Sequence, residues 1–316
     1  LYNSFRRHKI VLKEGLLSNS LDEIKQQLQA GKKVLVVCNT VKSSQAIFQA
    51  LKTTIKNNEA VLLHGSFTGK DRSKKEKDLM TDDVKLLVGT QAIEVSLDID
   101  YDIIYSEPAP IDALIQRFGR VNRRREKGIC ECIIFKEHHP EDEYIYNPET
   151  VDKTLNAFEA IATTNDGVID EALLQTSIDN VYQDWRADEK KKFDNQYRYL
   201  KEALQSLSPM FKNKHTEEDF YRQFDGIKIL PQCNKTEYEK HLSDTDFVNA
   251  ESEKVQIRKG RFVGWLKSDN IRRQSFAFSK GRKVDVERYF ITNKKYSPEL
   301  GLRTDEEEAW ATFNFL

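Results

Sequence analysis

The sequence predicts an α/β protein: a parallel sheet covered by helices, then a helical stretch, then a small mixed α+β unit. Three observations predict it. Short apolar runs alternate with amphipathic segments through the first 136 residues, the pattern of strands joined by crossover helices. From 150 to 206 apolar residues recur three and four apart, which is the helical period. From about 218 onward the segments are short and of mixed character, suggesting a smaller domain rich in strands.

The elements follow in order. An amphipathic stretch over 20–30 leads into KKVLVVC, an apolar run of buried-strand length ending near Cys38. VKSSQAIFQALKTTI reads as a helix whose apolar surface is Ala46, Phe48, Ala50, Leu51 and Ile55. AVLLH is the next strand, GKDRSKKEKDLM a polar helix, and VKLLVGT and YDIIYS two further strands. A helix is expected from Ile111 to about Arg123, and GICECIIF closes the sheet. KEHHPEDEYIYNPET is polar, carries two prolines and reads as a linker. VDKTLNAFEAIAT and GVIDEALLQTSIDNVY read as helices, and FDGIKILP, GRFVGWL and VERYFIT as short segments of the final, strand-rich unit. The expected boundaries are 1–136, 137–215 and 216–316.

Composition narrows the function classes. The 316 residues suffice for two or three domains with their own cores. Lys plus Arg is 50 against 51 Asp plus Glu, so a nucleic-acid partner must be met by local clustering rather than by net charge. No apolar run reaches membrane-crossing length and no signal-peptide pattern opens the chain, which predicts no membrane partner and a cytoplasmic location. The cysteines at 38, 130, 132 and 233 read as reduced. The chain opens without an initiator Met, so it is expected to be a piece of a longer protein.

The densest chemical signal is DALIQRFGRVNRR, with five arginines from Arg117 to Arg125. At 100° per residue, Ile111, Leu114, Phe118 and Val121 share an inward arc, while Gln116, Arg120 and Arg123 share the opposite one. Gly119 lies beside that outer arc, where a missing side chain lets another group approach. Guanidinium forks suit phosphate oxygens, since each donates two parallel hydrogen bonds and stays charged. The segment before it leaves an apolar strand and presents Thr90, Gln91, Glu94, Ser96 and Asp98 in quick succession. A polar loop at the carboxyl end of a parallel strand is where such sheets meet ligands. His138 and His139 have acidic neighbours but no ligand spacing, so no metal site is expected.

Taken together, LVVCNT, VGTQAIEVSLDID and QRFGRVNR resemble motifs four, five and six of a superfamily-two helicase, in that order, across about 30–136. More narrowly, TQAIEVSLDIDYDIIYSEPAPIDALIQRFGRVNRR and LLHGSFTGKDR resemble the CRISPR-associated helicase–nuclease of type I interference systems. The resemblance implies a second RecA-like domain, with Arg120 and Arg123 as arginine fingers and Gln116 orienting phosphate or water. Gly119 would admit the opposite domain, Asp98 would lie near the ribose of ATP, and Glu94 would link nucleotide and strand occupancy. Asn39, Thr40, His64, Thr90 and Gln91 would touch phosphates of single-stranded DNA. ATP and magnesium would be held mainly by a first RecA-like domain outside this chain. A nuclease domain of the same polypeptide and an RNA-guided surveillance complex are the further partners implied. Ser66 stands where the family usually has an arginine, and no phosphate loop or His-Asp cluster is present. Another superfamily-two helicase acting on DNA or RNA, and a stand-alone binding module without catalysis, are the alternatives.

Overall fold

A computed structural model describes residues 6–81, 83–94, 98–140, 145–183, 187–206, 226–281 and 283–311. Six parallel strands form the main sheet: β1 His8–Lys13, β2 Val34–Val37, β3 Ala60–Leu63, β4 Leu86–Gly89, β5 Ile103–Ser106 and β6 Cys130–Phe135. Their order is β1-β6-β5-β2-β4-β3. The expected strands of the first half are all present; β1, which the sequence reading did not pick out, adds an edge. Its outer side pairs antiparallel with Val168, and Ile10 N donates to Gly167 O at 2.7 Å, so this edge is covered by the chain's own backbone.

Alternation along β2 explains the two helical layers. Val34 and Val36 face a core built with α1 (Leu21–Gln29) and α2 (Val41–Leu51), through Ile24, Leu28, Ile47, Phe48 and Leu51. Leu35 and Val37 face the other core, where α4 (Ile111–Phe118) contributes Leu114 and Phe118 and α5 (Pro148–Thr164) contributes Phe158 and Ile161. Each such side chain fully buried is worth roughly 1.5–3 kcal/mol of transfer free energy. The expected surface of α2 needs one correction: Ala46 is exposed and Ile47 is buried in its place. The polar helix α3 spans Gly69–Asp78.

Two further helices, α6 (Glu171–Val181) and α7 (Ala187–Ser206), complete the expected helical stretch. The last unit holds β7 (Ile227–Pro231), α8 (Lys235–Ser243), α9 (Phe247–Ser252), β8 (Val255–Ile257), α10 (Lys259–Lys267), β9 (Ile271–Lys280), β10 (Lys283–Thr292), β11 (Lys294–Ser297) and β12 (Gly301–Glu307). It is mixed α+β, with sheets β8-β7-β10-β9 and β11-β12. GRFVGWL is a helix rather than the strand-like segment expected. Phe262 and Trp265, three apart, turn inward onto Ile257 and Phe290, and this helical spacing prevails over the continuous apolar run.

The last unit is fastened to the main sheet by backbone as much as by side chains. Leu302 N donates to Ser66 O at 2.9 Å, and Gln45 Nε2 donates to Leu300 O at 2.7 Å. Tyr296 OH accepts from Thr68 N and bonds Asp71. Gly301 makes the joint possible. Its φ is +72°, and a Cβ there would lie 2.7 Å from His64 Cε1 and 2.8 Å from Ser66 O.

Candidate functional site

In the sheet, Val37, Gly89 and Ser106 lie in register, and Leu63 pairs with Gly89. The residues just beyond them, Asn39, His64, Thr90 and Glu107, therefore emerge along one carboxyl rim, where parallel sheets bind ligands. Gly89 is forced by this crowding: a Cβ would stand 2.4 Å from Leu63 O.

A cavity of about 450 Å³ opens on that rim, lined by Asn39, Thr40, Thr90 and Gln91 and, from the last unit, by Arg258 and Arg261. Lys42 also lines it, and no carboxylate does among the described residues. Thr40 caps α2, accepting from Ser43 N at 3.1 Å, so the amino end of that helix faces the same space. The cavity is suited to an anion. Arg261 lies over Trp265, and burial followed by the charge of Arg258 lowers its pKa. Arg272 is instead clamped by Asp269 and stacked on Trp310, and Arg273 is exposed on β9.

The structure thus gathers four of the five expected strand-contacting residues. Asn39 is buried, with Nδ2 donating to Pro108 O at 2.8 Å. Gln91 Nε2 donates to Asn39 O at 3.1 Å. His64 lies apart from the cavity. It is fully buried, stacked on Phe67, donating to Leu300 O at 3.0 Å and accepting from Ser66 N at 3.1 Å. Its position is that of a fastening for the last unit.

The arginine segment departs from the expected helix. α4 ends at Phe118 with Gly119 as its cap, and Arg120 and Arg123 project from the turns beyond it. Gly119 has φ −58°, so conformation alone does not demand glycine there. Arg120 N donates to Arg117 O, and Tyr101 N to Arg120 O; these bonds replace the expected helix with a short parallel bridge between Tyr101 and Val121. Asn122 has φ +45°, its Nδ2 donates to Gly128 O at 2.5 Å and its Oδ1 accepts from Lys127 N. That turn aims Arg123 at Asp98, with Nε to Oδ1 at 2.8 Å, while Arg120 Nη2 donates to Glu94 O at 2.5 Å. Burial, then the charge of Arg123, lowers the pKa of Arg120, and Asp98 opposes this. Arg120, Arg123, Asp98 and Glu94 form one cluster; Gln116 is exposed on the helix behind it. Ser96 falls outside the described residues.

One residue that sequence reasoning passed over joins the two clusters. Arg117 is wholly buried. Its Nε donates to Glu94 Oε1 at 2.9 Å, Nη1 to Ser106 Oγ at 2.9 Å and Glu107 O at 3.2 Å, and Nη2 to Asn39 Oδ1 at 3.3 Å and Tyr146 OH at 3.1 Å. A signal was present. On a helical projection Arg117 lies about 60° from Leu114 and so borders the apolar arc, where an arginine persists only with partners for its charge.

Residues 30–126 match the family model for the C-terminal part of the CRISPR-associated nuclease/helicase Cas3. The match lies within the parallel-sheet domain, which is thus similar to the C-terminal helicase region of Cas3. A putative CRISPR-associated nuclease/helicase Cas3 of Methanocaldococcus jannaschii is 26% identical over 313 residues, covering 92% of this chain and 40% of the relative. The Cas3 nuclease/helicase of Streptococcus thermophilus is 38% identical over 114 residues, covering 34% of this chain and 12% of the relative. The chain therefore spans no more than 40% of the length of either curated relative. The crystal structure of T. fusca Cas3-ATP superposes with a TM-score of 0.59 at 17% identity, covering 84% of this chain and 37% of that one. That likeness extends the Cas3 fold into the last unit, and the six-stranded domain is RecA-like.

Proposed function

We propose that this chain supplies the second RecA-like half of an ATP-driven, single-strand DNA helicase that feeds invading DNA to a nuclease in CRISPR interference. The observation that carries the reading is the arginine-roofed cavity at the carboxyl rim, with no carboxylate among its described lining residues, beside a second cluster that presents two arginines. The cavity would hold the strand. Thr40, Thr90 and Gln91 would meet phosphates from below and Arg258 and Arg261 from above, with Asn39 shaping the floor; such contacts position a backbone without reading sequence. Arg120 and Arg123 would leave Glu94 O and Asp98 to meet the γ-phosphate of ATP, with Gln116 and Gly119 at the facing surface and Asp98 released toward the ribose. Asp98 pairs with Arg123, and Asp100 and Asp102 share Lys127; magnesium would be held mainly by a partner domain. The RNA-guided surveillance complex, a nuclease domain and a cytoplasmic setting belong to the same reading.

The test is single-strand-DNA-stimulated ATP hydrolysis by the complete protein. Arg120→Ala and Arg123→Ala are each expected to lower the turnover rate by roughly 10³-fold with ATP and strand binding largely kept. Turnover at the wild-type rate in both variants would refute the finger assignment. Stimulation by RNA but not DNA would instead favour another superfamily-two helicase. On this reading the 316-residue chain alone is expected to leave ATP intact, since the other half of the cleft would belong to a partner domain.

A further inference from the structure

We propose that Arg117 is the positioning residue that couples occupancy of the strand cavity to the placement of the Arg120 finger. The inference rests on the helicase reading above. Its basis is a continuous run of contacts. Gln91, in the cavity wall, donates to the Asn39 carbonyl; the Asn39 side-chain oxygen accepts from Arg117 Nη2; Arg117 Nε meets the Glu94 carboxylate; and the Glu94 carbonyl accepts from Arg120. The same guanidinium holds Ser106 and Glu107 at the end of β5, and Glu107 Oε2 accepts from Asn39 N at 2.6 Å. Five acceptors from three strand ends and the segment after β6 thus converge on one buried, planar cation.

The geometry makes this group more than a filler of space. Arg117 touches neither the cavity surface nor the outer face of the arginine cluster, yet it links the side chains of Asn39 and Glu94 directly, beside a main-chain route in which Gln91 donates to the Asn39 carbonyl and accepts from Glu94 N. Its fork is rigid, so a shift of Asn39 or Gln91 under a bound strand is passed to Glu94 as a rotation of one plane. Glu94 carries the message onward because its carboxylate and its carbonyl serve different arginines. When nucleotide draws Arg120 from that carbonyl, the Gln91–Glu94 turn is free to reset, and the reverse follows when a strand moves Gln91. Thermodynamic linkage requires the effect to be reciprocal. Tyr146 sets the rest position of the fork, since its hydroxyl accepts from Nη2.

The experiment is a binding cycle on the complete protein. The dissociation constant of a fluorescent oligothymidylate is measured with and without a nonhydrolysable ATP analogue, in wild type, Arg117→Lys and Tyr146→Phe. Lysine keeps the charge but cannot span five acceptors; phenylalanine removes one bond at nearly constant volume. Wild type is expected to show a coupling ratio of about 5- to 150-fold, falling to within about 2-fold of unity in Arg117→Lys and by severalfold in Tyr146→Phe. A purely structural role would lower melting temperature and both affinities while leaving the ratio intact, and that outcome overturns the proposal. If Arg117→Lys does not melt cooperatively, Tyr146→Phe decides alone, an unchanged ratio overturning the assignment. A wild type that binds both ligands with a ratio of one also overturns it. A wild type that binds neither sinks the helicase reading itself, which is a different result.

Discussion

Asn122 places Arg123, and few residue types would do so at equal cost. Its backbone is left-handed at φ +45° and its side chain closes the turn in both directions, to Gly128 and Lys127. Asn tolerates that conformation far better than other residues with a side chain. Asn122→Ala is expected to cost about 1–3 kcal/mol, for the strained backbone and the orphaned buried groups. It should also lower ATP turnover in the complete protein through a misplaced Arg123. Urea denaturation and steady-state kinetics on the same variant check both halves; an unchanged rate would mean that Arg123 finds its place without the turn. The sequence showed the arginines but not this arrangement. A motif read as one helix hides the fact that its second half is a turn, because spacing alone does not report where the hydrogen bonds stop.

At the scale of elements, α10 gives the clearest case. Arg258 precedes its first turn and Arg261 lies within it, so a short helix carries both cations into the roof of the cavity. Arg258→Gln with Arg261→Gln is expected to reduce the slope of log affinity against log salt by about 1.4, at about 0.7 per single-strand phosphate contact. An unchanged slope would mean that the roof does not touch the strand. Five of the six strands were legible individually, because buried parallel strands are continuous apolar runs that little else produces; β1 at the edge was not. Asn39, Thr40, Thr90 and Gln91 came as a group from the family resemblance, and the structure brings them together because each follows a strand end and register places strand ends side by side. α10 was not legible, since FVGWL carries no alternation and its helical contacts lie on residues from 227 onward. His64 also follows a strand end, yet the last unit covers it. No local pattern announces that a distant hairpin will dock there.

At the scale of the whole molecule, two buried histidines among the described residues, His8 and His64, tie stability to pH. Burial pushes His8 down to about 4 and His64 down to about 3. Both are held neutral in the fold, so below about 6.5 the unfolded chain binds protons that the folded one refuses. Their contribution is intact above that pH and is lost as pH falls toward about 4, by up to about 1.4 kcal/mol per pH unit for each histidine. Urea midpoints at pH 7 and pH 5 should differ accordingly, and equal midpoints would contradict the burial argument. Gly301→Ala addresses the same joint from the other side. With φ at +72° and contacts under 3 Å awaiting a Cβ, it should cost more than about 1 kcal/mol and weaken strand binding by loosening the roof, although residue 301 lies outside the cavity lining. Strand affinity equal to wild type in that variant would show the roof to be independent of the joint.

The fastening of the last unit has one more consequence. Much of it runs through main-chain atoms: the carbonyls of Leu300, Leu302 and Ser66 and the amide of Leu302. Main-chain atoms are the same whatever side chain stands above them. A saturation-mutagenesis map across 298–304 should therefore look intolerant at Gly301 and at Leu302, which is buried in the last unit's core, and more permissive at the other positions. Apparent mutational freedom along this hairpin would then mark a joint written in peptide groups, which substitutions cannot erase.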